Sequence, residues 1–102
     1  GHAWEMAERG DVHLVIHGAQ VPAYSGAREA AAGGTRTGGD RRNRDYVSGH
    51  LVAGSSEIDL ALCVDPQTSG GLLAAVPPDR ADRCVAALRG AGVAAVVVVV
   101  AV

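Results

Sequence analysis

No lysine occurs in this chain, and its absence removes one class of nucleotide site. A phosphate loop of the Gly-Lys-Ser/Thr type needs the lysine ammonium at the phosphates and a helix whose N-terminus faces the anion. Phenylalanine is missing too and aromatics make up 3% of the residues, so a core has to be built from Val, Leu and Ala. The two cysteines, Cys63 and Cys84, have no Cys or His partner at ligand spacing. That argues against a structural metal or a disulfide framework and predicts a reducing, cytoplasmic setting. Neither charge sign dominates. Nine arginines face eleven acids for a net charge of -2, which offers no general attraction to nucleic acid or anionic membrane. The longest apolar run, residues 93–102, is far short of the about 20 residues that a membrane-spanning helix requires. Gly1-His2-Ala3-Trp4-Glu5 does not show the basic segment followed by an apolar one that marks a secretory signal.

The organising stretch is residues 62–76, where polar loop chemistry sits between two apolar runs. Asp65-Pro66 reads as a turn start, because proline fixes its own φ and pushes the preceding residue out of the helical region. Gln67, Thr68 and Ser69 supply an amide and two hydroxyls. Gly70 and Gly71 supply backbone that permits close approach by another group. Such a loop suits an anion cradle and equally a tight turn whose hydroxyls satisfy local backbone. The apolar run at 72–76, closed by Pro77-Pro78, predicts a buried strand.

Residues 2–9 read as a helix ended by Gly10. Its uncapped start suggests a chain cut from something longer. Residues 11–17 alternate like a strand. His13 and His17 would then stand about 13 Å apart on one face, too far for one metal ion. An alanine-rich helix is expected over 25–32, closed by Gly33-Gly34. Residues 35–45, without an apolar side chain, read as a surface loop. There Arg36, Arg41, Arg42 and Arg44 either pair locally with acids or grip a phosphate. Residues 46–52 are a candidate strand. Ser55-Ser56-Glu57 caps a short element whose type, helix or strand, the pattern leaves open. Residues 78–89 carry Ala81, Cys84, Val85 and Leu88 at helical spacing, which predicts a helix with Cys84 in the core. The Val/Ala run at 93–102 predicts a central strand buried on both faces.

The stretch Asp65-Pro-Gln-Thr-Ser-Gly-Gly-Leu-Leu73 closely resembles a signature near the C-terminus of the selenophosphate synthetase (selenide, water dikinase) family. Gly1-His2-Ala3 resembles the end of that family's Gly-Phe-Gly-Leu-Leu-Gly-His segment. Gly33-Gly34-Thr35 with Arg42-Asn43-Arg44-Asp45-Tyr46-Val47 resembles its Gly-Gly-Thr, Arg-Asn, Tyr segment. The likeness spans nearly the whole chain. It departs from the family where Arg36 to Asp40 looks inserted between Thr35 and Asn43, and where Val97 to Val100 replace glycine and polar positions in the last strand.

The resemblance implies an α+β fold, a mixed β-sheet with helices packed on it, like the C-terminal domain of the aminoimidazole ribonucleotide synthetase superfamily. Residues 1–102 would form one domain, N-terminally truncated. The implied activity is ATP- and Mg2+-dependent conversion of selenide to selenophosphate with release of AMP and phosphate. The family's catalytic Cys or selenocysteine, its lysine and its magnesium-binding aspartates lie in sequence absent here. The chain alone is therefore expected to be inactive, to hold neither ATP nor Mg2+ by itself, to depend on the missing N-terminal domain, and to be homodimeric in the parent. Asp65, Gln67, Thr68, Ser69, Gly70 and Gly71 are the expected phosphate- or substrate-facing loop, with Asp65 accepting backbone N–H bonds that hold it open. His2, Gly34, Thr35 and Asn43 are secondary candidates, and no catalytic or metal-binding residue is assigned. The competing readings are a stand-alone binding or regulatory module of the same fold, and another ATP-dependent kinase or ligase of the superfamily.

Overall fold

Eight short elements follow one another in a computed structural model that describes residues 1–67 and 70–102. Helix α1 (His2–Gly10) runs one residue past its expected stop, and Asp11 takes the left-handed position at φ 50°. Its amide then bonds back to the Ala7 and Glu8 carbonyls. Strand β1 (Leu14–Ile16) follows, then a 3-10 turn (Gly18–Gln20) and α2 (Ala27–Ala32), which is closed by Gly33-Gly34 as expected.

Helix α3 (Asp40–Val47) corrects two expectations at once, the surface loop over 35–45 and the strand starting at Tyr46. Its sequence is polar almost all round, so apolar periodicity gives no signal. The helix is supported by i,i+4 ion pairs, Asp40 with Arg44 at 2.9 Å and Arg41 with Asp45 at 3.9 Å. Helix α4 (Glu57–Val64) resolves the open assignment at Ile58 to Leu62. Ser56 caps it, its Oγ accepting from the Asp59 amide at 3.2 Å. Because α4 is apolar on most sides, it packs against α2, α3 and the 3-10 turn together.

The core lies around α4. Its buried apolar residues are Ala31, Val47, Ala61 and Val64, with Ala7 under α1, in line with a composition lacking large aromatics. Arg28 clamps the same centre. Its guanidinium pairs with Asp59 and donates to the Gly18 and Val21 carbonyls at 3.3 and 3.4 Å. Trp4 of α1 stacks on His50 beyond α3, ring centroids 3.8 Å apart and planes 11° from parallel.

Beyond residue 70 the expectations change more. Helix α5 (Pro78–Gly90) forms where its spacing predicts, with Pro78 in the first turn, yet none of its residues is buried. Cys84 sits on the apolar stripe, but the stripe is uncovered, so Cys84 is half-buried and not in a core. Residues 71–77 are exposed and form no ladder, in place of the expected buried strand. The valine run gives only β2 (Val99–Ala101), antiparallel to β1 with Leu14 opposite Ala101 and Ile16 opposite Val99. A strand buried on both faces needs neighbours on both sides. Among the described residues β2 has β1 alone. The α and β contents thus agree in kind with the expected fold class, while the described residues carry one antiparallel pair and not a mixed sheet.

Candidate functional site

The turn at Asp65 is fixed from two sides by residues 20 to 30 positions earlier. Thr37, between α2 and α3, donates its hydroxyl to Asp65 Oδ1 at 3.0 Å. Asn43, in the first turns of α3, donates through Nδ2 to the Val64 carbonyl at 2.7 Å. That carbonyl is among the last four of α4, which find no partner within their own helix. Gly39 is buried and lets Pro66 lie against the start of α3. A Cβ added there would stand 2.6 Å from Pro66 Cγ, so a side chain would have to push the turn away. Residues 64–66 are therefore seated by a hydroxyl, an amide and a missing side chain.

Beside this corner runs an ionic network. Arg44 Nε meets Asp40 Oδ1 at 2.9 Å, and its Nη2 meets Glu57 Oε1 at 2.7 Å. Arg36 reaches the same glutamate oxygen at 3.5 Å and donates to the Ala31 and Thr35 carbonyls, both at 2.8 Å. The hydrogen bond to Asp40, aided by Glu57 and opposed by desolvation, raises the Arg44 pKa above its already high ordinary value. Two of the four arginines considered as phosphate grips are thus committed to carboxylates. Arg41 is paired loosely and is 92% exposed. Asp40 is only 8% exposed, and its second oxygen is buried without a hydrogen-bond partner among the described residues.

A recess of about 190 Å³ opens here, walled by alanines of α2 and α4 and edged by Thr35, Arg36, Thr37, Asp40 and Asp65. Its chemistry is that of a binding or positioning surface, with hydroxyls and carboxylates at the rim and aliphatic walls. Cys63 lies nearby on α4 and is exposed as a residue, yet desolvation at the thiol, and then the Asp59 carboxylate, push its pKa up. The Arg28 hydrogen bond, and then that of Ser56, hold Asp59 below the usual carboxylate range. Among the described residues no three His, Cys, Asp or Glu side chains come together as a metal site.

Asp65, Thr35 and Asn43, far apart in sequence, meet at this one corner. Gly34 takes φ 86° just ahead of Thr35, a left-handed turn that favours glycine. Among the described residues the partner seen for Asp65 is the Thr37 hydroxyl. Gln67 is exposed and its side chain covers Gly70, where a Cβ would stand 2.5 Å from Oε1. A Cβ on Gly71 would meet nothing within 4 Å. Thr68 and Ser69 lie outside the described residues. His2 is exposed on α1, with no hydrogen bond or ion pair to this corner among the described residues. Sequence reasoning passed over Thr37 and Gly39, which sit in the stretch read as an insertion. The usable signal was Asp40 four residues before Arg44, which marks a helix start and brings the preceding glycines to the corner.

Comparison with known proteins gives one consistent result. The chain is 39% identical over 92 residues to a selenide, water dikinase of Yersinia pseudotuberculosis, a match covering 88% of this chain and 26% of that protein. It is 40% identical over 84 residues to the selenide, water dikinase of Caldanaerobacter subterraneus, covering 81% and 24%. With that of Pelobacter propionicus it shares 41% identity over 101 residues, covering 97% and 29%. The chain is thus similar to selenide, water dikinases over most of its own length and spans about a quarter of theirs. No protein-family profile matches it, and no solved structure does.

Proposed function

We propose that this chain is the C-terminal part of a selenophosphate-forming enzyme, which with ATP and Mg2+ converts selenide to selenophosphate and releases AMP and phosphate. The parent is a cytoplasmic homodimer, and this part belongs to an α+β domain with a mixed sheet larger than the strand pair described above. Its contribution is the wall of the site that carries the Asp65 turn. The chain by itself does not turn over. It has no lysine to place at a phosphate, and among the described residues no three His, Cys, Asp or Glu side chains gather as a metal site.

The observation that carries this reading is the identity of about 40% over most of the chain, supported by a spatial coincidence. The two stretches that resemble family segments, the one holding Asn43 and the one beginning at Asp65, meet where Asn43 donates to the Val64 carbonyl. Nothing within the described residues requires Gly71 to lack a side chain, which fits a glycine kept bare for a group outside this chain.

A graft tests it. The matched region of the Pelobacter propionicus selenide, water dikinase is replaced by this chain, and AMP release is measured with ATP, Mg2+ and selenide. The graft is expected to release AMP only when selenide is present, and the chain alone to stay at background. Turnover by the chain alone, or a folded graft with no selenide-dependent AMP, would overturn the reading.

A further inference from the structure

Every acid of α3 and α4 is paired with an arginine. Asp40 meets Arg44, Asp45 meets Arg41, Asp59 meets Arg28, and Glu57 meets both Arg36 and Arg44. Asp65, the residue that ends α4, is different. Among the described residues it makes no ion pair, and Oδ1 is held by a neutral donor, the Thr37 hydroxyl, at 3.0 Å. A hydroxyl restricts the direction of a carboxylate without cancelling its charge. The Asp65 backbone is already constrained, at φ -58° and ψ 128°, the extended region that a following proline imposes. The side-chain torsion is what remains to be fixed. Thr37 is itself held for that task. The Asp40 amide donates to the Thr37 carbonyl at 3.2 Å and closes a turn over residues 37–40. Gly39 in that turn makes room for Pro66, the residue after Asp65. At the other end Arg36 ties the stretch down, donating to the Ala31 and Thr35 carbonyls, both at 2.8 Å.

We propose that Thr37 is a positioning residue for the selenophosphate-forming reaction, on which reading this rests. Its hydroxyl sets the direction in which the Asp65 carboxylate faces at the rim of the recess, charged and without an arginine partner. A carboxylate kept in that state accepts a hydrogen bond from a donor group of the substrate in the one orientation that Thr37 allows. Arginine at the same place would neutralise the charge and occupy both oxygens. The arrangement belongs to this chain, because Thr37 lies in the stretch Arg36 to Asp40 where the sequence departs from the family pattern. Thr37 is also exposed, so removing its hydroxyl should leave the urea midpoint of the chain nearly unchanged. Its effect belongs at the site.

Two variants of the graft test this, Thr37→Val, which keeps the shape and removes the donor, and Thr37→Ser, which keeps the donor. Thr37→Val is expected to raise the KM for ATP or for selenide about three- to tenfold, the effect of losing one hydrogen bond, while kcat changes by less than about twofold. Thr37→Ser should return both KM values to within about twofold of the unmodified graft. A merely structural residue would lower the folded fraction, and with it kcat, and leave both KM values alone. In the chain by itself, amide shifts of Gln67 and Gly70 should move with Thr37→Val, return with Thr37→Ser, and stay in place when Thr37→Val is added to Asp65→Ala. Unchanged KM values in an active graft overturn the proposal. So does Thr37→Ser behaving like Thr37→Val, or a Thr37→Val shift that persists after Asp65 is replaced. A graft without selenide-dependent AMP release sinks the function instead, and the shift pattern then decides whether Thr37 positions the turn.

Discussion

Residues 27–67 and residues 70–102 solve the same problem in opposite ways. The first stretch is poor in large apolar side chains and rich in charge, yet it holds four of the five buried apolar residues, Ala31, Val47, Ala61 and Val64. The second is about two thirds Val, Leu and Ala with one amphipathic helix, and no residue of that helix is buried. Hydrophobicity alone therefore does not say where the core of this chain lies. Small residues on facing helices, a cap at Ser56 and arginine side chains that thread between elements build the packed half. The apolar half has surface to bury and too few neighbours among the described residues to bury it against.

The same substitution in both halves gives the largest contrast. Val64→Ala removes two methyl groups from a site 7% exposed and should lower unfolding free energy by about 2 kcal/mol. Val97→Ala, at a site 47% exposed, should change it by less than about 0.5 kcal/mol. Urea unfolding followed by far-ultraviolet circular dichroism measures both, and equal losses would erase the distinction between the halves.

Gly39→Ala comes next. The new Cβ would overlap Pro66 Cγ at 2.6 Å, and relieving that contact should cost about 1–2 kcal/mol. Amide shifts at Gly70 and Gly71 should move with it, since the turn that leads to them is displaced. If both stay in place while the chain remains folded, the start of α3 does not seat the Asp65 turn.

How much of this was legible in the sequence depends on which force shapes each element. The helix at Pro78 was readable from apolar spacing and from proline in its first turn, and the helix ending at Gly33-Gly34 from its stop signal. The helix over Asp40 was not, because its support is pairing of charge along one face and its sequence contains no apolar stripe. The valine run was readable as strand-forming, but pattern says nothing about whether a neighbour exists to pair with it. At the candidate site, Asp65, Thr35 and Asn43 were visible as residue types. Thr37 and Gly39 matter through where the chain folds back, a tertiary fact that spacing does not contain.

Acid should act on the packed half first. Asp59 has a folded-state pKa below its unfolded value of about 3.9. Its contribution is therefore fully present above that value and is lost as pH falls through the lower folded-state value. Asp59→Asn should flatten the acid limb of the stability curve below about pH 4, measured as urea midpoint against pH. An unchanged acid limb would mean that the pairing with Arg28 does not couple to folding.

The smallest expected effect is chemical. With burial raising the Cys63 pKa, the thiolate fraction at neutral pH is reduced, so iodoacetamide should label Cys63 more slowly than a free thiol. Labelling at the free-thiol rate would show that α4 leaves the sulfur as open as the rest of the residue.

Residue-resolved hydrogen exchange on the isolated chain at low concentration separates the two halves most directly. Amides in the body of α4, at residues 60–64, should be the slowest, and those of residues 71–76 and 94–97 should exchange within about tenfold of the free rate. Protection of residues 94–97 equal to that of α4 would contradict this, because the valine run would then already have the neighbours that its exposure says it lacks.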